Sequence, residues 1–142
     1  NETAAGDLLA LAQNAPEAVD RIVALRGYIR IAGLNTAKLS NADRVKMLQI
    51  AMMTATRTEE KKQVIGAFQN VKSVESLNVL QKYFASALSD EAQMSAANML
   101  WDLRKKRSPE VKAIAEKLLE SKSKTVADKA KRLLDELSKN KR

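Results

Sequence analysis

The chain has 142 residues, 45% hydrophobic and 30% charged, a balance that supports one folded domain and excludes a disordered chain. It contains no Cys and no His, which excludes disulfides, thiolate and imidazole metal sites, Ser-His and Cys-His nucleophile pairs and histidine acid–base chemistry. The net charge of +8 is uneven: residues 1–71 hold 9 Lys/Arg against 7 Asp/Glu, and residues 72–142 hold 16 against 10.

Gly (4) and Pro (2) are too few for a β-sandwich, while Ala, Leu, Lys and Glu favour helix. Apolar spacing predicts eight helices, at roughly 3–14, 16–32, 41–55, 59–71, 74–86, 90–106, 109–121 and 126–138. Pro16 is expected to open the second helix. Ser40, with Asp43 three residues on, is an N-cap signal for the third, and Thr58, Ser73 and Ser89 are further expected caps. Ser108 precedes Pro109, a favoured first helical residue. Thr125 and Asp128 repeat the Ser40 pattern. In the seventh helix Val111, Ile114, Ala115, Leu118 and Leu119 share one face. In the eighth Val126, Ala130, Leu133, Leu134 and Leu137 do so, with Lys129, Lys131, Arg132 and Asp135 opposite. The five Met residues, Met47, Met52, Met53, Met94 and Met99, are read as core filling. Gly6, Gly27, Gly33 and Gly66 are scattered singly and form no phosphate loop; Gly27 and Gly66, inside helices, suggest close helix packing. No apolar run reaches the roughly 18 residues of a membrane span. The first residue is Asn, so a processed or excised piece of a larger chain is expected. Export to the periplasm after signal removal and a cytoplasmic location both remain open.

An apolar triad recurs in alternate helices: Leu25, Tyr28, Ile31; Ile65, Phe68, Val71; Ala97, Leu100, Leu103; and, in a weaker copy, Lys131, Leu134, Leu137. The central residues are spaced 40, 32 and 34, which fits one helical hairpin per repeat. A lone hairpin cannot bury its own apolar face, so neighbours should stack. The expected fold is all-α: one domain over residues 1–142, a short right-handed α-solenoid of about four hairpins at roughly 3–32, 41–71, 74–106 and 109–138. Its last helix would act as a polar cap, and its Ala-rich first hairpin would offer an outer face to an upstream domain.

The run Val19-Asp20-Arg21-Ile22-Val23-Ala24-Leu25-Arg26-Gly27-Tyr28 resembles the second helix of a HEAT repeat, with Asp20, Ala24 and Leu25 matching in type. The segment Leu39 to Leu80, including Ala55-Thr56-Arg57-Thr58-Glu59-Glu60-Lys61-Lys62, resembles HEAT-like or adaptin-like modules of the armadillo-like kind. Such modules occur in large bacterial, often exported, multidomain proteins, sometimes beside sugar-hydrolase-like domains. The resemblance implies a binding scaffold with no catalytic motif and no cofactor, whose partner is another protein or a neighbouring domain of the same chain.

In solenoids of this kind the second helices line the concave side. Arg26, Arg30, Gln69, Asn98, Trp101 and Asp102 are therefore the expected partner contacts. Arg26 and Arg30 share a helix face and suit a carboxylate or phosphate ligand, or carboxylates on neighbouring helices; Glu17 and Asp20 lie near in sequence. Trp101 is either a groove contact or a wedge between the third and fourth hairpins. The run Arg104-Lys105-Lys106-Arg107 suits the negative end of a helix. Alternatively it forms a nucleic-acid surface with Lys129 and Arg132, extended by Lys122, Lys124 and Lys131. Trp101, Asp102 and Arg104 also resemble the site of a helical-repeat DNA glycosylase, which would make Asp102 the active carboxylate. The sequence neighbours Asp90-Glu91 and Asp135-Glu136 diverge by about 100° and make no paired-acid site. Glu59-Glu60 and Asp90-Glu91 suit the positive ends of helices. The expected function is a non-catalytic protein-interaction or scaffold module, with nucleic-acid binding by the basic C-terminal half as the alternative.

Overall fold

The computed structural model describes residues 2–34 and 38–139. Those residues are all-α, with no strand among them: α1 (Glu2–Asn14), α2 (Ala18–Gly33), α3 (Asn41–Thr54), α4 (Thr58–Phe68), α5 (Val74–Gln81), α6 (Ser89–Leu100), α7 (Pro109–Leu118) and α8 (Lys124–Lys139). A 3₁₀ segment, Trp101–Lys106, continues α6. The chain divides into two compact units, Asn1–Val71 and Lys72–Arg142.

In the first unit α1 packs on α2, and α2 packs on α3 and α4. Among the described residues, Ala5 and Ala12 of α1 and Ala15 of the turn after it are buried, small enough for close approach. Gly27 is part of that contact: a Cβ there would sit 3.2 Å from Leu8 Cδ1. The opposite side of α2 buries Leu25, Tyr28, Ile29 and Ala32, and α4 answers with Val64, Ile65 and Phe68.

Arg44 is the largest fully buried side chain of this unit, 2% exposed. Its Nε donates to the Ala32 carbonyl at 2.9 Å, and Nη2 donates to Gly33 O (2.9 Å) and Asn70 O (3.2 Å). The first two carbonyls belong to the last turn of α2, where helix geometry leaves C=O groups without amide partners. The third lies just past the end of α4. No carboxylate pairs with Arg44 among the described residues. The negative ends of two helices hold the cation instead. Desolvation pulls its pKa below the usual value, yet an arginine stays charged across the physiological range.

In the second unit α5 pairs with α6 and α7 with α8, and α6 also packs on α8. The core is Leu77, Leu80, Ala96, Met99, Leu100 and Leu103 from the first pair, with Val111, Ile114, Leu118, Val126, Ala130 and Leu133 from the second.

The repeat triads are buried in the second and third copies, and Leu25 and Tyr28 are buried in the first, with Ile31 half-buried. In the fourth, Lys131 is exposed and Leu134 and Leu137 are half-buried, because the core stripe of α8 runs through Val126, Ala130 and Leu133. Ser40, Ser73 and Ser108 cap as expected, accepting from the amides of Asp43 (3.0 Å), Ser76 (3.1 Å) and Glu110 (3.2 Å).

Several local expectations need correction. α8 starts earlier than Thr125, because Ser123 Oγ takes the Val126 amide at 3.3 Å. Thr58 lies inside α4; the N-cap is Arg57, whose side chain is bound to Glu60 instead. Ser89 is the first residue of α6 and donates its hydroxyl to the Phe84 carbonyl rather than capping. α2 begins at Ala18, two residues past Pro16. α5 ends at Gln81, not near 86: successive i→i+3 bonds from Lys82, Tyr83 and Phe84 tighten the chain into turns, and Ser86 Oγ bonds to Tyr83 O. Met53 is 80% exposed, on the side of α3 away from its buried Val45, Leu48 and Ala51. Met99 is buried, and Met47, Met52 and Met94 are half-buried. Gly66 has open space around its missing Cβ, so it marks no close packing.

Gly66→Ala should therefore raise stability by about 0.5–1 kcal/mol, seen as a higher urea midpoint. Gly27→Ala should gain less or lose, since Leu8 must give way. Arg44→Met should cost about 3 kcal/mol or more, because it strands carbonyls at two helix ends, and Arg44→Lys should recover only part of that in the same urea series.

Candidate functional site

The face of α2 opposite its core carries Val19, Val23, Arg26 and Arg30, at i, i+4, i+7 and i+11. Val19 is 69% and Val23 62% exposed. Leu8 of α1 seats against Gly27, and Leu11 on the same helix is also exposed. Apolar side chains on an outward helix face are the feature that the core of this unit does not explain.

Arg26 is committed to Glu60 of α4. Its Nε and Nη2 lie 3.1 and 3.0 Å from Glu60 Oε2. Arg57 closes on the same carboxylate, with Nε 2.6 Å from Oε1 and Nη2 2.9 Å from Oε2. The packing of α2 beside α4, and not proximity in sequence, selects the partner, so neither Glu17 nor Asp20 takes this part. Glu60 is 2% exposed. The Arg57 hydrogen bond outweighs desolvation and, with Arg26 and the charge of both, holds the Glu60 carboxyl at about 2, well below 4.5. In the sequence Glu60 stands as a helix-opening acid, and its i,i+3 relation to Arg57 is the local signal of this pairing. Arg30 is exposed with no ion pair among the described residues, and Gln69 is half-buried at the end of α4.

In the second unit Trp101 opens the 3₁₀ segment and is half-buried. The Arg132 guanidinium of α8 lies 3.7 Å from its ring centroid and that of Arg104 lies 4.6 Å away. Arg104 Nη1 also donates to Trp101 O at 2.9 Å. Trp101 thus joins the α6 end to α8, and its half-exposed ring is also part of the lining of a cleft. Beside it an open cleft of about 440 Å³ runs along α8. Its walls carry Asp128, Asp135 and Glu136 as well as Lys131, Arg132 and Lys139, so its charges balance.

Asp102 lies 3.0 Å from Lys72 Nζ, both half-exposed. Asn98, Lys105, Lys106, Arg107 and Lys129 are exposed. Arg107 adopts φ 49°, a left-handed turn that ends the helix. Of the basic cluster, Arg104 and Arg132 are therefore spent on the indole, while Lys105, Lys106, Arg107 and Lys129 face solvent.

Among the described residues no group of three or more Asp/Glu side chains is placed to hold a metal ion, and no helix is long and apolar enough to cross a membrane. In comparisons with known proteins, no family model, no curated protein and no solved structure matches the chain.

The Glu60 cluster makes an acid-stability prediction. Its folded pKa is depressed, so its contribution is fully present above about pH 4.5 and is lost as pH falls toward 2. Glu60→Gln should cost about 1–3 kcal/mol at neutral pH, at the lower end because the freed arginines can rehydrate. The gap between wild type and variant in urea midpoint should close as pH drops from about 4.5 to about 2.

Proposed function

We propose that this chain is a non-catalytic protein-interaction or scaffold module, a short HEAT-like, armadillo-like α-solenoid of about four stacked hairpins. The observation that carries the reading is the outward stripe of α2. Val19 and Val23 are left in solvent beside Arg26 and Arg30. Apolar side chains flanked by arginine are what a protein partner, or a neighbouring domain of the same chain, can bury with gain. The repeated hairpins supply a rigid support for that face.

Two further observations favour protein over nucleic acid and binding over catalysis. The two guanidinium groups on Trp101 occupy the ring that a base would stack on, and the adjoining cleft, with three carboxylates against three cations, offers phosphate no net attraction. Asp102 is tied to Lys72 rather than set free in a cleft.

The test is affinity capture from native lysate with and without nuclease, using wild type, a Val19→Lys/Val23→Lys variant and a Lys105→Glu/Lys106→Glu variant. A defined protein that resists nuclease should be retained by wild type and by the lysine-run variant. The α2 variant should lose it by about tenfold or more, since two buried valines are worth at least that. Recovery that disappears with nuclease and with the Lys105/Lys106 change would replace the reading with a nucleic-acid module.

A further inference from the structure

The first unit contains a hollow of about 170 Å³ where α1, α2, α3 and α4 approach one another. Ala12 and Leu25, 5% and 4% exposed, form its apolar floor, and Ala18 and Ile22 extend that wall. Arg21, Arg57 and Thr56 form much of the polar side, with Glu60 behind them.

Donors outnumber acceptors on that side. Both Glu60 oxygens are already taken by Arg57 and Arg26. Thr54 gives its hydroxyl hydrogen to Ile50 O at 2.8 Å. Arg57 uses Nε and Nη2 on Glu60 and keeps Nη1 unspent among the described residues. Arg21 uses Nη1 on the carbonyls of Ala15 (2.6 Å) and Pro16 (3.0 Å), which leaves Nε and Nη2 without a protein acceptor among those residues. The Thr56 hydroxyl has no protein partner there either. Among the residues that line the hollow, Arg21 and Arg57 carry positive charge against the single carboxylate of Glu60. The balance at the hollow is positive.

We propose that this hollow binds a short aliphatic carboxylate, with the carboxylate between Arg21 and Arg57 and the alkyl group on Ala12, Ile22 and Leu25. The hollow, about 170 Å³, has room for a short alkyl chain, and butyrate is a probe of that class. A neutral apolar guest would strand the guanidinium N–H groups, and a bare phosphate would leave the apolar floor wet. This site is separate from the outward stripe of α2 and does not depend on it.

The experiment is an amide NMR titration of the whole chain with sodium butyrate, with butyramide and sodium phosphate as matched probes. Butyrate should give saturable shifts at residues 12, 18–25 and 54–60, with a dissociation constant of about 1 mM, as expected for so few atoms. Butyramide and phosphate should bind at least about tenfold more weakly. Ala18→Leu should fill the hollow and abolish the shifts while the thermal melt is kept, because Ala18 is exposed and Leu is a good helix former. Arg21→Gln should weaken butyrate about tenfold. The proposal falls if butyrate gives no saturable shifts there. It falls equally if butyramide or phosphate matches butyrate, or if the butyrate shifts survive both substitutions.

Discussion

The first unit depends on a buried cation that no acid neutralises among the described residues. Arg44 comes from the first turn of α3 and reaches the carbonyl ends of α2 and the chain just past α4. Helix ends are costly to bury because their last carbonyls lack amide partners. A planar guanidinium, with five donors in a fixed fork against the three of an ammonium, reaches the carbonyls of more than one such end at once. Its charge is also of the sign that the C-terminal dipoles favour. With the ends of α2 and α4 held by the same side chain, α2 is fixed beside α4, and Arg26 is brought within reach of Glu60.

The same economy recurs through the arginines. Arg21 satisfies the carbonyls of Ala15 and Pro16 at the turn between α1 and α2, Arg57 and Arg26 enclose Glu60, and Arg104 and Arg132 lie against Trp101. A net charge of +8 therefore overstates the cationic surface offered to a partner. The arginines named here hold helices to one another, while the solvent-facing positive charge in the second unit comes chiefly from lysines. Lysines carry point charges without the fork that reads a phosphate or carboxylate in two bonds. This weighs against a specific polyanion site along the C-terminal helix, whose cleft also carries Asp128, Asp135 and Glu136.

On α2 the two sides of one helix have different work. Leu25, Tyr28, Ile29 and Ala32 build the core, and the far side leaves Val19 and Val23 in solvent. β-Branched residues are not the choice that helix propensity makes for an exposed surface, where Lys, Glu or Ala would serve better. Their exposure beside Arg30 is the observation on which the proposed partner-binding face rests.

The sequence by itself determined the helices, most of the core and much of the capping. Apolar spacing at 3.6 residues and the serines at positions 40, 73 and 108 are local signals that need no partner. It did not determine where α5 would stop, because the turn bonds and serine hydroxyls after Gln81 compete with helix by small margins. It also misjudged Met53 and Gly66, whose surroundings come from other helices. Among the candidate residues, Arg26, Arg30 and Trp101 stood out from spacing and type alone. Only the tertiary structure decided that Arg26 is spent on Glu60, that Arg132 covers Trp101, and that Arg44 carries the junction of α2 and α4. Ion pairs, stacked rings and carbonyl clamps join residues far apart in the chain, and local periodicity holds no information about which of them will meet.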